Sequence, residues 1–209
     1  LIDRATRGKT ETILFNIDIE GSINKDKTAV LRVFAKMFYT HLGFYGENLK
    51  VAMLEQYIDQ LGKTEEFRRV FEAKKGKPWT EQRKAFAFNG KFIIPTLMEV
   101  LDMSEEDAKG WFNDKTAVEF SIARLVEDIK TYVSRQPENF RLLFMIDEVG
   151  QYVGTDTDML LNLQSLTEKI GSECGGKVWV MCTGQEAIDE IIKVRADEFS
   201  RIQARFKTR

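Results

Sequence analysis

The residues best suited to chemistry lie at the end of an apolar run, where Leu142-Leu143-Phe144-Met145-Ile146 leads straight into Asp147-Glu148. If the run is a strand of a parallel sheet, both carboxylates stand at its carboxyl end, the edge where such sheets bind ligands. An aspartate held rigidly there can position a magnesium ion through water. The glutamate beside it can orient and deprotonate a water that attacks a phosphate. An apolar strand that simply exits to a loop through Asp-Glu is the plain alternative. About 30 residues on, a second apolar run, Val178 to Cys182, ends in Thr183 and Gly184-Gln185; capping a helix over residues 185–193 is the plain role for that threonine.

Positioning these groups requires a sheet. The Leu142–Ile146 run lacks alternation, which predicts a strand covered on both faces. A helix with Met159, Leu160, Leu163, Leu166 and Ile170 inward follows, and Gly175-Gly176 turns into the second strand. Strand, helix, strand with short connections implies parallel pairing through a right-handed crossover, hence an α/β layered fold. Residues 12–20 alternate, with Ile13, Phe15, Ile17 and Ile19 on one face, as in a half-exposed edge strand. Val30, Phe34, Met37, Phe38 and His41 then mark a helical stripe, which predicts a packed rather than a catalytic histidine.

Residues 44–115 carry only helical signals, with Thr64 and Ser104 as caps, and read as an insertion whose small core is Phe86, Phe88, Phe92, Ile93 and Leu97. Lys74, Lys75, Lys77, Arg83 and Lys84 form a basic cluster in it, read as a solvated face with DNA contact as the alternative. A capping box, Thr116 with Glu119, opens a helix with Val118, Ile122, Leu125, Val126, Ile129 and Val133 inward. The predicted division is residues 1–43 (edge strand and helix), 44–115 (insertion) and 116–209 (the two apolar strands).

The composition is globular: of 209 residues 31 are basic and 33 acidic, so the formal charge of −2 gives no bulk argument for nucleic acid. The longest apolar runs are far shorter than the ~20 residues of a spanning helix. Cys174 and Cys182 have no zinc spacing, which with the lack of a signal segment predicts a reduced, cytoplasmic setting. No Ser/His or Cys/His pair assembles, and no second acid-and-lysine strand accompanies Asp147-Glu148, as a metal-dependent nuclease would need. Beginning at Leu1 and ending within Arg205-Phe206-Lys207-Thr208-Arg209, the chain reads as an excised piece of a longer polypeptide.

The Asp147-Glu148 strand end resembles a Walker B motif, and Val178–Thr183 resembles the sensor 1 strand of AAA+ ATPases. The resemblance implies that Thr183 hydrogen-bonds the attacking water or the γ-phosphate. Ser200-Arg201-Ile202-Gln203-Ala204-Arg205-Phe206 resembles the arginine-finger region of these enzymes, which implies that Arg205 or Arg201 reaches a neighbouring subunit's γ-phosphate; solvated helix arginines are the alternative. Gly8-Lys9-Thr10 is no Walker A loop, because a strand rather than a helix follows. The expected fold is thus a partial P-loop NTPase: an AAA+-like parallel sheet with flanking helices and a helical insertion, its first strand and Walker A lying upstream of Leu1. The piece alone is expected to be inactive.

Four segments carry a narrower resemblance: Ile13-Leu-Phe-Asn-Ile-Asp-Ile-Glu-Gly-Ser, Phe144-Met-Ile-Asp-Glu-Val-Gly-Gln-Tyr-Val, Trp179-Val-Met-Cys-Thr-Gly-Gln-Glu and Arg201-Ile-Gln-Ala-Arg-Phe. They are similar to the BrxC, or PglY, family of large P-loop proteins from BREX phage-defence systems, over nearly the whole chain. The resemblance implies a cytoplasmic bacterial ATPase that uses ATP and Mg2+, assembles as a homo-oligomer, and acts with a DNA methyltransferase and other BREX proteins. A non-hydrolysing scaffold that binds partner proteins or DNA is the rival reading.

Overall fold

The computed structural model describes residues 8–21, 26–114, 120–154 and 156–183. Along the chain these form β1 (Thr10–Asn16), α1 (Ile17–Glu20), α2 (Ala29–His41), α3 (Leu49–Gln60), α4 (Thr64–Lys75), α5 (Trp79–Gln82) and a 3-10 turn (Arg83–Phe88). Then come α6 (Gly90–Leu101), α7 (Glu105–Asn113), α8 (Ile122–Ser134), β2 (Arg141–Asp147), α9 (Val149–Val153), α10 (Thr157–Glu173) and β3 (Val178–Cys182). The chain divides into two compact units, one made of Leu1–Phe38 with Phe120–Arg209 and the other of Tyr39–Glu119. The insertion expected at 44–115 falls within the second.

The first unit is α/β. Its three strands among the described residues pair in parallel in the order β1-β2-β3, with Ile13 opposite Phe144 and Phe144 opposite Val180. The central place goes to β2, the strand that carries Asp147. Because the chain crosses the sheet in one direction, right-handed crossovers bring both connections over the same face. On that face Phe34 of α2 packs against Phe15 and Phe144, at 5.8 and 5.4 Å between ring centroids. Leu125, Val126, Ile129 and Val133 of α8 are buried, as their spacing predicts. Ser121 caps α8 by accepting from the Arg124 amide, and the expected Thr116–Glu119 box lies outside the described residues.

The opposite face corrects the expectation of a doubly covered strand. Leu143 and Met145 are half-buried there, and Leu14, Trp179 and Met181 are 66%, 60% and 49% exposed. An unalternating apolar run shows that both faces of a strand are apolar. Which face a helix covers is decided by crossover direction.

Two further corrections come from local chemistry. The first strand stops at Asn16, whose side chain accepts from the amides of Asp18 and Ile19 (3.0 and 3.2 Å), so Ile17–Glu20 turns into helix. Ile17 stays buried and Ile19 is 78% exposed. His41 is exposed in the last turn of α2 rather than packed.

Polar contacts fix the ends of these elements. Gly175 and Gly176 have φ of 57° and 72°, left-handed values open to glycine that turn the chain from α10 into β3. The Lys177 ammonium donates to the carbonyls of Val133, Gln136 and Pro137, satisfying the carboxyl end of α8. At the start of α2, Asp26 accepts from the Thr28 amide and hydroxyl and from Arg32. The Arg32 bond, then the Thr28 hydroxyl, hold its carboxyl at about 2, below its ordinary value of 3.8. A folded pKa below the unfolded one stabilises above the unfolded value, and that contribution is lost as pH falls through the folded value. Melting of the wild-type chain should therefore drop between pH 4 and pH 2 by more than melting of Asp26→Asn; parallel curves would contradict the role given to these bonds.

The described elements of the second unit are all helices. Trp79 meets Phe67 and Phe71 edge to face, at 5.1 and 5.0 Å between ring centroids, and Ile93, Leu97 and Val100 are part of the same core. The Glu55 carboxylate accepts from the Trp79 indole (2.6 Å), the Tyr45 amide (2.6 Å) and Arg83 (3.1 Å), which meets the cost of placing a charge among these rings. Of the predicted insertion core, Phe86, Ile93 and Leu97 are buried and Phe92 is partly buried. Phe88 is not part of it. Ser104 caps α7 as expected, whereas α4 begins after Lys63 with Thr64 as its first residue.

Candidate functional site

The carboxyl edge of the sheet brings the chemistry together. Asn16 ends β1 opposite Asp147 at the end of β2, and Thr183 continues β3 at the same level, its amide donating to the Ile146 carbonyl (2.9 Å). The Thr183 hydroxyl donates to Asp147 Oδ1, which also accepts from the Glu148 amide (3.0 Å). Two donors thus set the orientation of one exposed carboxylate. The Thr183 carbonyl accepts from the Val149 amide (3.1 Å), so the residues after β2 and β3 are stitched together by backbone and side chain.

Glu148 sits differently. Its backbone is left-handed, with φ 61° and ψ 29°, although it carries a side chain. Such a conformation costs on the order of 1–3 kcal/mol and persists where the surroundings over-determine it, a pattern that clusters at functional sites. Glu148 is half-buried, with its Oε2 inside the protein, whereas Asp147 and Thr183 are exposed. The structure therefore brings Asp147 and Thr183 into direct contact and places Glu148 next to them with one carboxylate oxygen turned inward.

Asn16 is the site residue that sequence reasoning missed. By capping α1 it bends the chain away at the level of Asp147, and the signal for it was an Asn placed before a short apolar-polar turn. Beyond it the chain passes against α9. A Cβ built on Gly21 would lie 2.4 Å from the ring of Tyr152, so glycine permits this close approach. Burial pushes the Tyr152 hydroxyl up, leaving it neutral in the physiological range.

The remaining candidates separate cleanly. Lys9 leads directly into β1 and pairs with Glu11 at 2.6 Å, and a Cβ on Gly8 would strike the Asn139 carbonyl, in keeping with the rejection of a phosphate-binding loop there. Burial pushes the Cys174 and Cys182 thiols up to about 11 and about 12, which removes both as nucleophiles near neutral pH. Arg201, Arg205 and Gly184-Gln185 lie outside the described residues.

Among the described residues no group of three or more His, Cys, Asp or Glu side chains could hold a metal ion. Asp147 is still suited to a hard cation that keeps most of its water, because Mg2+ is commonly held by one or two carboxylates together with substrate phosphates. Among the same residues no helix is long and apolar enough to cross a membrane. No protein-family model matches the chain, and no solved structure matches it.

Proposed function

We propose that the first unit is the hydrolytic side of a P-loop, AAA+-like ATPase module, and that the chain is part of a BrxC (PglY) protein of a BREX phage-defence system. One observation carries this reading: across the carboxyl ends of adjacent parallel strands, the Thr183 hydroxyl bonds the carboxylate that ends the central strand. A carboxylate and a hydroxyl coupled at that edge suit the γ-phosphate end of a nucleotide. Bound Mg2+ would neutralise charge on the ATP phosphates, with Asp147 holding it through water.

The protein's own groups then divide the work. Asp147 is kept in one orientation by Thr183 and by the Glu148 amide, so the strand rather than a loop sets its position. Thr183 has a hydroxyl that can be shared between Asp147 and a phosphate oxygen or the attacking water. Glu148 orients that water and takes its proton once its carboxylate faces the edge. Arg205 or Arg201 acts on the nucleotide of a neighbouring copy in a homo-oligomer. The DNA methyltransferase and the other BREX proteins are its partners, and the setting is cytoplasmic.

The test is ATP turnover by the chain extended upstream through a phosphate-binding loop. Thr183→Val should lower kcat about tenfold or more, and Thr183→Ser should retain most of it, because serine keeps the hydroxyl. Equal rates in all three proteins would remove Thr183 from the mechanism. The buried Glu148 Oε2 favours a second reading, a non-hydrolysing scaffold that binds partner proteins or DNA. Absence of turnover in the extended wild type would select it.

A further inference from the structure

The ring of Phe88 is 87% exposed, more than that of any other large hydrophobic residue described, although its neighbours Phe86 and Asn89 are buried. On one side Phe86 is buried against Trp111 and Phe112, at 6.0 and 5.0 Å between ring centroids. On the other, buried Asn89 donates through its side chain to the Gln82 carbonyl (3.1 Å) and the α6 helix begins. A turn anchored on both sides thus presents a phenyl ring to water, where its own burial contributes nothing to folding.

Cations flank that turn in the chain. Lys84 lies four residues before Phe88 and Lys91 three after it, both exposed. The ammonium groups of Lys75 and Lys91 stand 4.5 and 4.9 Å from the centroid of Phe92. From Lys74 to Lys91 there are six basic residues and one acidic residue, Glu81, in a chain whose net charge is −2. Lys74 is paired with Glu99 and Arg83 with Glu55, which leaves Lys75, Lys77, Lys84 and Lys91 as the cations of this stretch.

We propose that Phe88, with Lys75, Lys84 and Lys91, is a stacking platform for single-stranded nucleic acid. Protein docking uses contiguous apolar patches. Here the exposed ring stands next in the chain to buried Asn89, and four residues on is Phe92, whose ring carries two ammonium groups. Base stacking needs one exposed aromatic face with cations spaced along a backbone, and it is available where bases are unstacked. This surface lies in the helical unit and stands independently of the ATPase reading.

The experiment is fluorescence anisotropy of the 209-residue chain with a labelled thirty-nucleotide oligo-dT, alongside a duplex of equal length and a poly-glutamate competitor, over a salt series. Oligo-dT should bind at low salt, with Phe88→Ala weakening it about tenfold and Phe88→Trp keeping it. Replacing Lys84 and Lys91 by Gln should make the slope of log affinity against log salt shallower by about 1.4, near 0.7 for each phosphate that is no longer neutralised. The melting temperature should not move in Phe88→Ala, since the ring is in water. Absence of oligo-dT binding, wild-type affinity in Phe88→Ala, a duplex bound as well as oligo-dT, or equally good competition by poly-glutamate would each overturn the assignment.

Discussion

Replacing Glu148 by Gln in the upstream-extended chain is expected to cut ATP turnover by ~10²-fold or more while nucleotide binding persists. The amide matches the carboxylate in size and can still orient water, but it cannot accept the proton. Glu148 already occupies a left-handed backbone position, and glutamine meets the same steric cost there, so the variant should fold as the wild type does. Asn is several-fold enriched in that conformation. Glu148→Asn should therefore melt no lower than Glu148→Gln and be equally inactive, a pairing that separates loss of chemistry from loss of fold. Rates within a few-fold of wild type in both variants would end the water-activating role. The inward Oε2 adds a further expectation: under the proposed role this carboxylate would have to turn to the edge, so bound nucleotide should alter hydrogen exchange over residues 147–153.

Much of this site was legible because its parts are local. An apolar run that ends in Asp147-Glu148, a helix and a second apolar run that ends near Thr183 define a parallel crossover by order alone, and the two strand ends meet as that order requires. The stripe from Leu125 to Val133 likewise follows from helical spacing. What escaped was set by competition between neighbours. Ile17 and Ile19 continue the alternation of β1, but the Asn16 side chain offers the next amides a better partner than a strand would, and the period changes without a hydrophobic signal. Phe88 has the same composition signal as Phe86 and differs only in which side of a 3-10 turn it occupies. The left-handed backbone of Glu148 has no sequence mark, since nothing about a glutamate announces it.

The largest effect on stability is expected at Phe34, the fully buried ring of α2 that lies between Phe15 of the edge strand and Phe144 of the central one. Phe34→Ala should cost about 3–5 kcal/mol, from lost burial and the cavity left behind. Its edge-to-face contact with Phe15, at an interplanar angle of 84°, adds of order 1 kcal/mol that a branched aliphatic chain cannot replace. Phe34→Leu should therefore lose stability too, by less than half as much, because it fills most of the volume. Hydrogen exchange over residues 141–147 reads the effect where it matters, since these amides belong to the strand that carries Asp147. Where exchange proceeds through unfolding, a loss of about 3 kcal/mol speeds it by roughly 10²-fold. Protection within threefold of wild type in Phe34→Ala would show that the sheet is held from elsewhere. Loss of protection together with faster exchange at Thr183 would tie the packing under the strands to the pairing of Asp147 and Thr183 at their ends.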